Sequence, residues 1–137
     1  MKKTLYLFLI TSLIFSANNS FSQALKKINL NTKVTQSQVI VEGKVISKES
    51  FWDANHYNIY TANKIEVYKV FKGSLTTSII EIITPGGTVG LQRDVVEPSL
   101  SLSYNETGIF MLRNNTVNYL TTNTNPQFEP YSSVQGF

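Results

Sequence analysis

The chain has 137 residues, with 12 Lys or Arg against 9 Asp or Glu, one His and no Cys. The missing cysteines exclude disulfide staples, a thiol nucleophile, zinc–thiolate sites and iron–sulfur clusters, so packing must carry the fold. A formal charge of +3 would ordinarily point to nucleic acid or an anionic membrane, but part of that excess lies in a segment with another purpose.

Met1-Lys2-Lys3 is a positive start, Leu5 to Phe15 an apolar stretch, and Ser20-Phe21-Ser22 a small-x-small site ahead of Gln23. That is the order of a secretory signal peptide, read here over residues 1–22 with cleavage after Ser22. Thr11 and Ser12 interrupt the stretch, which falls short of the about 20 apolar residues a membrane span needs. No cysteine stands at the cleavage point, which excludes a lipoprotein anchor. Removal leaves 115 residues and takes Lys2 and Lys3 with it, so the excess of cations falls from three to one. The remaining domain lacks the basic groove that nucleic acid requires. Nothing after residue 23 is apolar enough for stable membrane insertion, and the expected location is secreted or periplasmic.

Past residue 22, Val and Ile number 21 against 11 for Ala and Leu. β-branched side chains suit a pleated, half-buried surface. The expectation is one all-β domain with at most one short helix, Asn31 to Ser37, capped by Asn29 or Asn31 within a lead-in over residues 23–37. A first strand runs from Gln38 to Phe51, with Val39, Val41 and Val45 on one parity and Glu42, Lys44 and Lys48 on the other. Gly43 sits on the inward parity, where a bend or a close strand approach needs no side chain. Trp52 to His56 reads as a turn, and Tyr57 to Phe71 as the returning strand of a long hairpin. Its pattern shifts parity at Val70, which a bulge near Tyr68-Lys69 would repair.

Ile79 to Ile83 is a third strand, apolar on both faces except at Glu81, so its outer face calls for cover by a helix, a loop or another domain. Pro85-Gly86-Gly87 is a turn that requires positive φ at one of its glycines. Thr88 to Val96 reads as a fourth strand, and Pro98 to Tyr104 as a loop carrying Leu100 and Leu102. Ile109 to Leu112 reads as a buried central strand, turning at Arg113-Asn114-Asn115 into Val117 to Thr121. The barrel domain is thus placed at residues 38–121. Residues 122–137 read as an Asn/Thr-rich tail or linker, and the aromatic end at Phe137 suggests the opening module of a longer protein.

Catalytic constellations are missing from the pattern. His56 is the sole histidine, short of the three or four ligands a zinc site takes, and without it no serine triad has a base. The Pro85 to Gly90 run lacks the Gly-Lys-Ser/Thr ending of a phosphate loop. Glu42, Glu49, Asp53, Glu66, Glu81, Asp94 and Glu97 are scattered and read as solvated strand faces and turns. No catalytic residue, metal site or cofactor is expected. Aromatics remain: Phe51, Trp52, Tyr57 and Tyr60 cluster about one hairpin loop, and Trp52, Tyr57 and Tyr60 are the candidate binding residues, able to stack a sugar.

Val41-Glu42-Gly43-Lys44-Val45-Ile46-Ser47, Ile59-Tyr60-Thr61, Glu66 to Gly73 and Thr84-Pro85-Gly86-Gly87 together resemble a module at the start of large secreted proteins of Bacteroidota. Several of those proteins carry zinc-protease or repeat domains and a carboxyl-terminal sorting signal further along. The pattern is also similar to netrin-like and TIMP-like OB barrels and spans about residues 38 to 137. The resemblance implies a small OB-like, Greek-key barrel of five to six strands, with a β-sandwich as the alternative. The leading functional expectation is an exported, non-catalytic interaction module whose partner is a protein or another domain of the same parent chain. The alternatives are a secreted glycan- or peptide-binding domain and a non-catalytic segment of a secreted metalloprotease.

Overall fold

The computed structural model describes residues 26–117 and 125–137. The signal reading over residues 1–22 and most of the strand expected at Val117 to Thr121 lie outside the described residues.

The α-helix among the described residues, α1 at Leu30–Gln36, begins at Asn29, whose Oδ1 accepts from the Thr32 N–H at 2.7 Å. That is an N-cap satisfying one of the helix's free donors. Ser37 ends it, donating through both its backbone N–H and its hydroxyl to the Lys33 carbonyl. No residue of α1 is buried. It is tied to the rest of the fold by Lys33, whose Nζ donates to the Gln135 carbonyl at 3.1 Å, and by Lys72, whose Nζ donates to the carbonyls of Val34 and Thr35 at 2.8 Å each, a cation placed where a helix leaves carbonyls unpaired.

Two 14-residue strands, β1 (Val39–Trp52) and β2 (Ile59–Lys72), form the expected long antiparallel hairpin. Val41, Val45 and Ile65 have no solvent exposure. Gly43 lies among them, and a Cβ there would stand 2.6 Å from the Glu66 carbonyl oxygen and 2.7 Å from Ile65 Cγ2. Only glycine permits that approach. The bulge expected near Tyr68 is present, because Glu42 pairs with Lys69 and Gly43 with Val67, leaving Tyr68 without a partner. It does not bury Val70, which stays 41% exposed, since β3 pairs with β2 only as far as Glu66 and the end of β2 has a neighbour on one side alone.

A second bulge decides more. Val45 pairs with Ile65 and Ser47 with Lys64, so Ile46 is an extra residue in β1. The inward set of β1 therefore changes from odd positions before Ile46 to even positions after it. Lys48, Ser50 and Trp52 thereby join the face that carries Val41 and Val45.

β3 (Ile79–Pro85) pairs antiparallel with β2. Ile80 and Ile82 point into the core, while Ile83, on the outward parity, is 1% exposed, in keeping with the cover expected there. Glu81 is a correction: it is 2% exposed rather than solvated, and Gln127 Nε2 donates to its Oε2 at 3.1 Å.

The single strand expected from Thr88 to Val96 is instead a small hairpin, β4 (Gly87–Val89) and β5 (Gln92–Asp94), forming a sheet of its own. Gly90 at φ +60° opens its two-residue turn, the geometry that lets a tight loop follow the strand twist. The chain then returns as a loop whose Leu100 and Leu102 are buried in the barrel core.

β6 (Thr107–Asn114) pairs with β1. Its apolar run is not buried throughout, because Phe110 and Leu112 face the core whereas Ile109 is exposed on the outer face. The larger correction concerns residues 122–137. β7 (Gln127–Pro130) pairs antiparallel with β6 and parallel with β3, closing a barrel in the order β1-β2-β3-β7-β6. Phe128 enters the core, and Arg113 Nε meets Glu129 Oε1 across the β6–β7 pair at 2.7 Å. The segment read as a tail supplies a barrel strand, followed by a 3-10 turn at Ser133–Gln135. Among the described residues the result is an all-β, OB-like barrel of five strands with one short α-helix. Closure of the sheet replaces the sandwich alternative.

Candidate functional site

Two places bear on a site: the tip of the β1–β2 hairpin, around which the predicted aromatics lie, and a cleft below it lined by inward polar side chains. The tip is held by Asp53. Its Oδ1 accepts from the Tyr57 N–H at 2.8 Å, and its Oδ2 accepts from the Asn58 N–H and the Asn58 amide at 3.2 and 2.8 Å. The backbone closes beneath, with Asp53 N–H to Asn58 O at 2.9 Å and His56 N–H to Asp53 O at 3.0 Å. An aspartate serving as local acceptor for backbone donors further along the chain is a turn device. The Tyr57 N–H holds the Asp53 carboxyl below its ordinary range, against an opposing effect of desolvation, with the Asn58 donors and the Asn55 N–H adding to the lowering.

His56 adopts φ 57° in this turn, and its ring lies 6.1 Å from that of Trp52, nearly parallel. Among the described residues no three His, Cys, Asp or Glu gather as metal ligands.

The structure does not bring Trp52, Tyr57 and Tyr60 together on one face. Phe51 pairs with Tyr60 across the hairpin, their rings 6.2 Å apart on the outer face. Trp52 pairs with Ile59, one position along and hence on the opposite face. Tyr57 stands at the tip, 82% exposed. A three-ring stacking platform is replaced by an outer pair, an inner Trp–His pair and a lone projecting tyrosine.

The cleft lies on the inner face of the upper β1–β3 sheet, beneath the excursion over residues 86–102, and has a volume of about 390 Å³. Gly86 and Gly87, at φ 89° and 151°, start that excursion, and positive φ at this turn was expected. A Cβ on Gly87 would fall 2.4 Å from Ser50 Oγ and 2.6 Å from Thr61 Oγ1, so the excursion lies directly on the strands. Thr61 Oγ1 donates to the Gly86 carbonyl at 2.7 Å and contacts Ser50 Oγ at 3.1 Å. Asn63, Thr84 and Lys48 line the cleft beside them, with Arg93, Asp94 and Glu97 on the excursion.

Sequence reasoning missed this polar set. The signal was available on β2, where Thr61 and Asn63 share the parity of Ile65 and Val67, so polar side chains occupy a face otherwise assigned to the core. On β1 it was hidden, because the Ile46 bulge reverses the face on which Lys48 lies.

Among the described residues no helix is long and apolar enough to cross a membrane. No protein-family model matches the chain, and neither a curated protein nor a solved structure matches it.

Proposed function

We propose that this chain is an exported, non-catalytic interaction module that docks a protein, or another domain of a longer parent chain, through the tip of its β1–β2 hairpin. The observation that carries this reading is Tyr57, exposed at the end of a turn whose backbone is tied down by Asp53. Tyrosine supplies a large amphipathic contact surface with few rotatable bonds, and tyrosines are enriched among residues that dominate binding energy. A braced turn adds to this by reducing the ordering cost of association. The resemblance of the Val41 to Ser47 and Glu66 to Gly73 strands to the opening module of large secreted proteins supports the same reading, as does the export signal read over residues 1–22.

The test is a photoreactive phenylalanine analogue placed at Tyr57 in the exporting cell, with Leu91, which is fully exposed, as the control position. The expected result is one discrete adduct from position 57 that excess purified chain competes away. Purified partner should then bind the Tyr57→Ala chain about tenfold more weakly, a loss of about 1.4 kcal/mol. No adduct, or the same adducts from position 91, overturns the reading.

A further inference from the structure

A buried amide with an unused acceptor marks a second site, independent of the hairpin tip. Asn63 is 1% exposed. Its Nδ2 donates to Ile82 O at 2.9 Å, Thr84 Oγ1 at 3.1 Å and Thr61 O at 3.3 Å. Two of these acceptors are backbone carbonyls, which fixes the amide orientation, since a carbonyl cannot donate. The atom left over is Oδ1, a buried acceptor with no partner in the protein. Buried polar atoms rarely stay unpaired, and Asn63 lines the cleft.

Lys48 is the cross-strand partner of Asn63 on the same face. Its Nζ donates to the Leu102 carbonyl, which uses one of the ammonium's three hydrogens. A residue with an unpaired acceptor and a cation with donors to spare thus line the same cleft from paired strand positions. A hydroxyl satisfies both, donating its hydrogen to Oδ1 while accepting from Nζ. The charged lining consists of Lys48 and Arg93 against Asp94 and Glu97, two of each sign, and so selects no net charge in the ligand. Leu100, Leu102 and Val95 add apolar wall, suited to the C–H face of a ring. The volume of about 390 Å³ lies near the lower end of the roughly 300–1,000 Å³ range of small-molecule sites.

We propose that this cleft binds a neutral, polyhydroxylated ligand of monosaccharide size, with Asn63 Oδ1 accepting from, and Lys48 Nζ donating to, one ring hydroxyl. The site makes no use of Trp52, Tyr57 or Tyr60, and it stands or falls separately from the hairpin-docking reading.

The test is a nuclear magnetic resonance titration of the full chain with glucose, galactose, mannose and N-acetylglucosamine, following the Asn63 side-chain amide and the Leu102 backbone amide, with glycerol as a non-cyclic control. At least one sugar is expected to give saturable shifts with a Kd of about 1 mM or tighter, and glycerol to bind at least about tenfold more weakly. Lys48→Met, which changes none of the Asn63 amide's bonds, should weaken that sugar about tenfold while leaving the remaining spectrum folded. Tyr57→Ala should leave it unchanged. Linear, unsaturated shifts with all four sugars, equal binding by glycerol, or an ordered water alone on Asn63 Oδ1 would overturn the proposal.

Discussion

The hairpin of β1 and β2 has two halves with opposite interiors. Below Ile46, its inner face presents Val41, Val45 and Ile65 to a core completed by Ile80, Phe110 and Leu112. Above it, the same face presents Lys48, Thr61 and Asn63 to a polar cleft. The two halves share the same two strands, and they differ by one inserted residue, in their outer neighbours and in what lies opposite. The lower half faces the other walls of the barrel and is filled by side chains. The upper half rises beyond β6, whose pairing with β1 stops at Lys44, and is covered only by the excursion between β3 and β6. A continuous sheet can therefore hold an apolar core and a polar recess a few residues apart, provided a bulge resets which residues point inward.

Deleting Ile46 tests the bulge directly. Without the extra residue, Ser47 would follow Val45 in an unbroken ladder and keep Lys64 as its partner, so Lys48 and Ser50 would stay on the inner face and only the bend and added twist of the bulge would be lost. The expected outcome is a lower urea midpoint, with near- and far-ultraviolet circular dichroism still following one transition. An unchanged midpoint would show that the bulge is dispensable.

Phe110→Ala tests the lower half by itself. Phe110 is fully buried and its ring lies 5.0 Å from that of Phe137, so the substitution should cost about 3–5 kcal/mol in urea unfolding. Thr84→Val tests the upper half, removing an acceptor for the Asn63 amide and a weaker donor to the Thr61 carbonyl. Asn63 keeps its two carbonyl acceptors, and the expected loss is about 0.5–1.5 kcal/mol. If the two variants cost the same, the halves would not differ as described.

The smallest effect concerns the turn above both halves. Asp53 is held below its ordinary pKa, first by the Tyr57 N–H, so folding favours its charged form. Its contribution is fully present above the unfolded value of about 3.9 and is lost as pH falls through the lower folded value. Urea midpoints of the wild-type and Asp53→Ala chains should therefore converge on acidification, and a constant difference between them would count against the assignment.

Much of the lower half was legible in the sequence. The alternation of Val39, Val41 and Val45, the glycine at 43 and the parity shift at Tyr68 are local signals of burial, close approach and bulging, and each has its counterpart in the ladder. The Asn29 cap was equally local. The polar cleft was legible only in part, since Thr61 and Asn63 break a core pattern while the bulge at Ile46 has no signature in side-chain type. The aromatic cluster was misleading for a related reason: Trp52 and Tyr60 are near in sequence and in space, yet lie on opposite faces of one ribbon.

By itself the sequence determined the all-β class, the long hairpin, its inward valines and the turn residues, because these depend on side-chain periodicity and on backbone freedom at single positions. Only the tertiary structure decided where the barrel closes. β7 is four residues in an Asn- and Thr-rich stretch, too short to show a period, and it becomes a strand because β3 and β6 each offer it an unpaired edge. The cleft has the same origin, since residues 48, 63 and 84 share a recess only after the register of three strands and the path of the excursion are fixed.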